Sequence, residues 1–112
     1  MKTICIKVKL KQGVLDEVRH WFQTLNDRIE EVRESLENED VLIESAFLDK
    51  HGSDYFLIYY MRAHDINHAY EVFNKSTLAI DRYYKDCWGK YCEGRMVLEE
   101  LLDLDTLELK RG

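Results

Sequence analysis

Seven consecutive apolar or aromatic residues, Tyr55 to Met61, leave no polar position on either side of a strand. With a period of two, Tyr55, Leu57, Tyr59 and Met61 share one side, and Phe56, Ile58 and Tyr60 share the other. Such a strand needs cover on both faces and belongs in the middle of a sheet. It is too short to cross a bilayer as a helix, which takes about 20 residues. The rest of the fold has to supply two coverings for this segment.

The flanking sequence supplies one of them. Ile4, Ile6, Val8 and Leu10 alternate with Cys5, Lys7, Lys9 and Lys11, a strand with one buried face. After Gln12-Gly13 the period changes. Val14, Val18, Trp21, Phe22, Leu25, Ile29, Val32 and Leu36 recur at threes and fours, which predicts one amphipathic helix of about seven turns. Val41 to Asp49 alternates again, with Val41, Ile43, Ser45 and Phe47 on one face and Leu42, Glu44, Ala46 and Leu48 on the other. A hairpin turn around Gly52 joins it to the central strand. Asp65 caps a second helix with Ile66, Ala69, Tyr70 and Phe73 inward. Leu78 to Cys92 reads as a short helix or two irregular turns, Glu93-Gly94 as a turn, and Met96 to Leu104 as a last strand. Asp105 to Gly112 reads as a peripheral tail.

The order β-α-β-β-α-β predicts an α+β, ferredoxin-like split βαβ sandwich: one four-stranded antiparallel sheet, helices on one face. Residues 1–112 suit a single domain of this kind. Its other face still carries large side chains, each forfeiting about 1.5 to 3 kcal/mol if left wet. A homodimer through the exposed sheet face, giving a dimeric α+β barrel, is the expected solution. Leu57 and Tyr59 are the positions where an aspartate is expected to break that contact.

Charge and motifs narrow the function. Sixteen basic against 22 acidic residues give a net charge of −6, which argues against nucleic acid and anionic membranes as partners. Lysines interrupt the N-terminus too often for a signal-peptide core, so a soluble, cytoplasmic protein is expected. Cys5, Cys87 and Cys92 are odd in number, imply no disulfide framework and read as small buried hydrophobes. No phosphate loop or GxSxG setting occurs, and no cofactor is expected.

The segments ESAFLD (Glu44 to Asp49), DYFLIYYMRAHD (Asp54 to Asp65), VFNKST (Val72 to Thr77) and IDRYYKDCW (Ile80 to Trp88) resemble a family of small bacterial proteins in the dimeric α+β-barrel superfamily. The resemblance covers nearly the whole chain and implies the barrel fold and the dimer. The superfamily also holds cofactor-independent monooxygenases of the quinol type, polyketide-modifying enzymes and ligand-sensing domains. No motif specific to any of these enzymes is matched, so the resemblance assigns no catalytic role.

Candidate chemistry comes from polar residues set among apolar ones. Glu44 shares its strand face with Leu42, Ala46 and Leu48; if buried it needs a partner, for which Arg62 is the candidate, or a raised pKa. Beside His64 or His68 it would be a general base. His64 and His68 stand four apart, a spacing compatible with one metal but without the HExxH context that gives it meaning, so no metal site is assigned. Asp81 fits a helix cap or a polar group at a pocket mouth. Glu44, His64, His68 and Asp81 are thus the candidate proton-handling residues, and Tyr59, Arg62, Tyr83 and Trp88 the candidate ligand contacts for a small apolar or aromatic molecule. Two functions follow. A structural or ligand-binding dimer predicts a filled sheet–helix interface. A cofactor-independent monooxygenase-like or isomerase-like enzyme predicts a cavity of at least about 300 Å³ with convergent polar groups. The clear fold and sparse site signal favour the former.

Overall fold

In the computed structural model, which describes residues 1–107, β1 (Lys2–Leu10) and β3 (Asp54–Ala63) form the middle of a four-stranded antiparallel sheet. β2 (Val41–His51) pairs with β3 on one edge, and β4 (Cys92–Val97) pairs with β1 on the other. The strand order β2-β3-β1-β4 is the ferredoxin-like arrangement expected from the sequence. Four helices, α1 (Leu15–Asp27), α2 (Ile29–Asn38), α3 (Ile66–Lys75) and α4 (Ala79–Tyr91), supply the helical layer.

The register explains which side chains are dry. Ile4 faces Met61, Ile6 faces Tyr59 and Val8 faces Leu57, all on the helix side. Around Trp21, which has no exposed surface, Ile6, Val8, Leu57 and Tyr59 form one core with Val18, Leu10 and Cys87. Val41, Met61, Ala63 and Ala69 form a second core under Leu36, Ile66 and Tyr70. Phe56, Ile58 and Tyr60 take the opposite face, where they are half-buried among Ile43 and the more exposed Phe47 and Met96. Leu57 and Tyr59 therefore lie under the helices. The expectation that an aspartate there would act on a dimer contact is corrected: the period of two puts Ile58 and Tyr60 on the open face.

The long first helix is two helices. Arg28 breaks it with φ −109° and ψ 38°. Just before the break, the Thr24 hydroxyl donates to the His20 carbonyl at 3.0 Å, and the Asn26 amide donates to the Phe22 carbonyl at 2.8 Å. Such back-bonding bends helices. Arg28 then clamps Glu31 through two 2.7 Å bonds, fixing the start of α2. At the far end Asp40 adopts φ 57°, the left-handed turn that often closes a helix.

Two bulges correct strand boundaries. Val41 faces Ala63 while Ile43 faces Arg62, so Leu42 is the extra residue and Val41 joins the helix side. Val8 faces Arg95 while Lys9 faces Glu93, so Gly94, at φ 61°, is an extra residue inside β4. Glu93-Gly94 is therefore a bulge, and the last strand runs Cys92–Val97 instead of Met96 to Leu104. Leu78 to Cys92 resolves into the continuous helix α4, with Gly89 accommodated within it.

After β4 the chain keeps contact with the open face. Leu98 N–H donates to the Cys5 carbonyl at 2.9 Å. Asp103 and Asp105 both engage Arg62, which is 5% exposed, and its Nε reaches Thr3 at 3.3 Å. Asp105 is thus anchored and not merely peripheral; residues 108–112 of the predicted tail lie outside the described residues. Leu101, Leu102 and Leu104 on this arm are 76–87% exposed.

Candidate active-site cavity between sheet and helices

Between the two cores the sheet and helices do not close. A cavity of about 360 Å³ opens there, floored by Ile4, Ile6, Tyr59, Met61 and Glu44 of the sheet. Its walls come from Ser35 and Glu39 at the end of α2 and its cap, Tyr70 and Phe73 of α3, and Asp81, Tyr84 and Trp88 of α4. The interface is not filled, which meets the geometric expectation of a small-molecule site.

The sequence positions these groups by simple periodicity. Glu44 sits opposite Met61 and next but one to the small Ala46, on the helix-facing side of β2. Tyr59 comes from β3 at the same level as Ala46. Tyr84 and Trp88 are one helical turn apart, and their rings stack at 6.0 Å and 21°. Tyr59 meets both rings, edge-on to Tyr84 at 6.2 Å and tilted to Trp88 at 6.2 Å.

Among the described residues no hydrogen bond or ion pair reaches the Glu44 carboxyl. Burial therefore pushes its pKa up to about 7, and the neighbouring Glu39 and Asp81 charges add to the rise. Burial also raises Tyr59 and Tyr84 well above the usual phenol range, and Glu44 contributes to both. Both phenols stay neutral near pH 7 and can donate O–H bonds. A carboxyl that titrates near neutrality beside two neutral donors can take up and return a proton without any other group.

Behind Glu44 lies a buried polar chain. Ser35 Oγ is 2.6 Å from Glu39 Oε2 and 2.6 Å from Asp81 Oδ1. One hydroxyl hydrogen cannot serve both oxygens at once, so the two carboxyls share it. Ser76 supplies Asp81 with a second hydroxyl donor at 2.5 Å, while the Ser76 oxygen accepts from Leu78 N–H at 3.2 Å. Asp81 thus has a serine hydroxyl at each of its carboxyl oxygens, and burial raises the Glu39 pKa above the ordinary carboxyl range.

Of the residues singled out in the sequence, Glu44, Tyr59, Asp81 and Trp88 come together here. The others do not. Arg62 projects to the opposite face, because Ile43 and not Glu44 is its neighbour across the strands, and it pairs with Asp103 and Asp105. The expected Glu44–Arg62 pair is corrected accordingly. His64 and His68 are exposed and do not line the cavity; His68 stands 3.7 Å from Asp40. Tyr83 packs against the Trp21 core and not the cavity. Ser35 and Glu39 were missed, although Val32, Ser35, Leu36 and Glu39 follow the i, i+3, i+4, i+7 spacing of an inner face. Tyr70 was expected on the inner face of its helix and lines the cavity, whereas Arg95 carried no signal in the sequence. Among the described residues no three His, Cys, Asp or Glu side chains are grouped to hold a metal ion, and no helix is long and apolar enough to cross a membrane. Burial pushes the Cys92 thiol up to about 12 and raises Cys87 as well, which suits packing residues better than nucleophiles.

Residues 1–109 match the model of a family described as a family of unknown function, DUF6176. The chain belongs to this family. No curated protein matches it in sequence. The solved structures that share the fold include two that align over most of this chain. One is an L-rhamnose mutarotase from Formosa agariphila, with a TM-score of 0.63 at 15% identity over 94% of this chain and 100% of that one. The other is a de novo designed protein with a ferredoxin fold, with a TM-score of 0.58 at 16% identity over 96% of this chain and 94% of the design. At these identities the likeness concerns backbone architecture, which many unrelated functions share.

Proposed function

We propose that the cavity is the active site of a small isomerase-like enzyme that needs no cofactor. Glu44 moves a proton on and off a small aromatic or conjugated substrate. The carrying observation is the Glu44 carboxyl, without a partner among the described residues, inside an aromatic-walled cavity and beside two neutral phenols. As base it accepts a proton from a C–H next to an unsaturated group. Tyr59, itself accepting from the Tyr84 hydroxyl, donates a hydrogen bond to the oxygen on which negative charge develops. Glu44 then returns the proton, to the same or a neighbouring carbon. A fold relative is an L-rhamnose mutarotase. A sugar asks for many polar partners, however, and here Ser35, Glu39 and Asp81 are committed to one another. A flatter, less hydroxylated substrate suits the walls better.

The test is deuterium uptake from D₂O into a panel of aryl ketones and cyclic enones, followed by NMR. With an accepted compound, exchange falls by about 10²- to 10⁴-fold in Glu44→Gln, the range of a lost general base. Equal exchange by the two proteins would overturn the assignment.

We infer also that two copies pair through the open sheet face. Phe47 and Met96 are about 60% exposed there, and Leu101, Leu102 and Leu104 of the arm that follows β4 are exposed as well. Large apolar side chains exposed together on one face mark an interaction site.

A further inference from the structure

The cavity contains more acid than it can balance. Glu39, Glu44 and Asp81 line it, against Lys85 and Arg95. Both cations are occupied at the rim. The Lys85 ammonium donates to the Asn74 carbonyl at 3.2 Å and lies 4.9 Å from the centre of the Phe73 ring. Arg95 donates to the Tyr70 hydroxyl at 2.8 Å and lies over the same ring at 5.1 Å. Asp81 has its two serine donors, and Glu39 shares Ser35 with it. Among the described residues Glu44 alone of the three has no hydrogen-bond or ionic partner, and it faces the open volume.

We propose that the ligand of this cavity carries a positive charge next to a flat ring, an arylalkyl ammonium or a similar organic cation, with the charge set against Glu44. A buried carboxylate without a counter-charge is unfavourable, and a ligand ammonium supplies what the chain withholds. The ring faces of Tyr59, Tyr84 and Trp88 favour a cation as well as an apolar body. An anionic ligand would meet the three acids, and a neutral one binds without this charge contact and so more weakly. A bare metal ion fits less well, because these carboxyls are not grouped to ligate one.

The inference rests on the cavity being a ligand site and not on the reaction run there. The cation's charge opposes protonation of Glu44, so the ligand drives a proton off that carboxyl as it binds. The other groups facing Glu44 are Glu39, Asp81, Tyr59 and Tyr84 within the cavity and Tyr70, Lys85 and Arg95 towards its rim.

Binding of benzylamine, benzyl alcohol and benzoate is measured by calorimetry and Trp fluorescence at pH 6.5, in two buffers of different ionisation enthalpy. The expected result is benzylamine binding at least about 10-fold tighter than benzyl alcohol, a preference of about 1.4 kcal/mol, with proton release to the buffer. Benzoate binds weakest. In Glu44→Gln the benzylamine preference and the proton release are both lost. Benzyl alcohol binding as tightly as benzylamine, or benzoate binding tightest, overturns the charge assignment and leaves the cavity a ligand site. If none of the three binds, the cation inference fails and the ligand-site reading fails with it.

Discussion

At pH 8 the Glu44→Gln protein unfolds at a higher urea concentration than the unaltered protein, and the gap closes as the pH falls towards 4. The sign follows from the direction of the shift. The folded-state pKa of Glu44 is raised to about 7 by burial, while in the unfolded chain it returns to about 4.3. The folded state therefore holds the proton more tightly. The associated stability is fully present below the unfolded value and is lost as pH rises through about 7. The integrated loss is on the order of 3 kcal/mol at pH 8, because each pKa unit corresponds to about 1.36 kcal/mol. That is a large part of the 5 to 15 kcal/mol typical of a small domain. Glutamine keeps the shape and removes the titration. Glu39, also raised by burial, tilts the unaltered protein in the same direction. A Glu44→Gln protein less stable than its parent at pH 8 would mean that the carboxylate has a stabilising partner.

The second large effect concerns the open sheet face. Ile58→Asp converts the proposed dimer to a 13.4 kDa monomer by sedimentation at micromolar concentration. Ile58 lies on the central strand β3, beside Phe47 of β2 and Lys7 of β1. A two-fold axis places the substitution twice in one interface. Each buried carboxylate costs several kcal/mol, so association weakens by at least about 10³-fold. Leu57→Asp is the contrasting case. Leu57 is 3% exposed under the helices, so aspartate there disrupts folding whatever the association state. If the unaltered protein already sediments as a monomer, the pairing is refuted.

The sheet was legible because its signal is local. Alternation in β1 and the doubly apolar β3 fixed the central pair, and the helical stripe of α1 and α2 fixed the covered side. The helix break at Arg28 was hidden because Leu25, Ile29 and Val32 keep the spacing across it; side chains bonding back to carbonyls, which leave no mark on hydropathy, decide it. Bulges at Leu42 and Gly94 escaped for a related reason: one extra residue moves neighbours between faces without altering composition. The site was half legible. Glu44 stood out as a charge on an apolar strand, and Asp81 as a polar residue opening a helix. Their meeting depends on how α2 packs against both β2 and α4, a long-range contact that no local pattern encodes. The assumed Glu44–Arg62 pair failed because residues that look close in a hairpin can face opposite sides of the sheet.

The central claim is that Glu44 is a carboxyl held near neutrality inside the cavity. Carbon-13 NMR of the side-chain carboxyl carbons, with glutamate labelled and Glu44 assigned through Glu44→Gln, follows its titration from pH 3 to 9. A midpoint near 7 for this one resonance is the predicted result. A midpoint near 4.3, shared with the exposed glutamates, would contradict it.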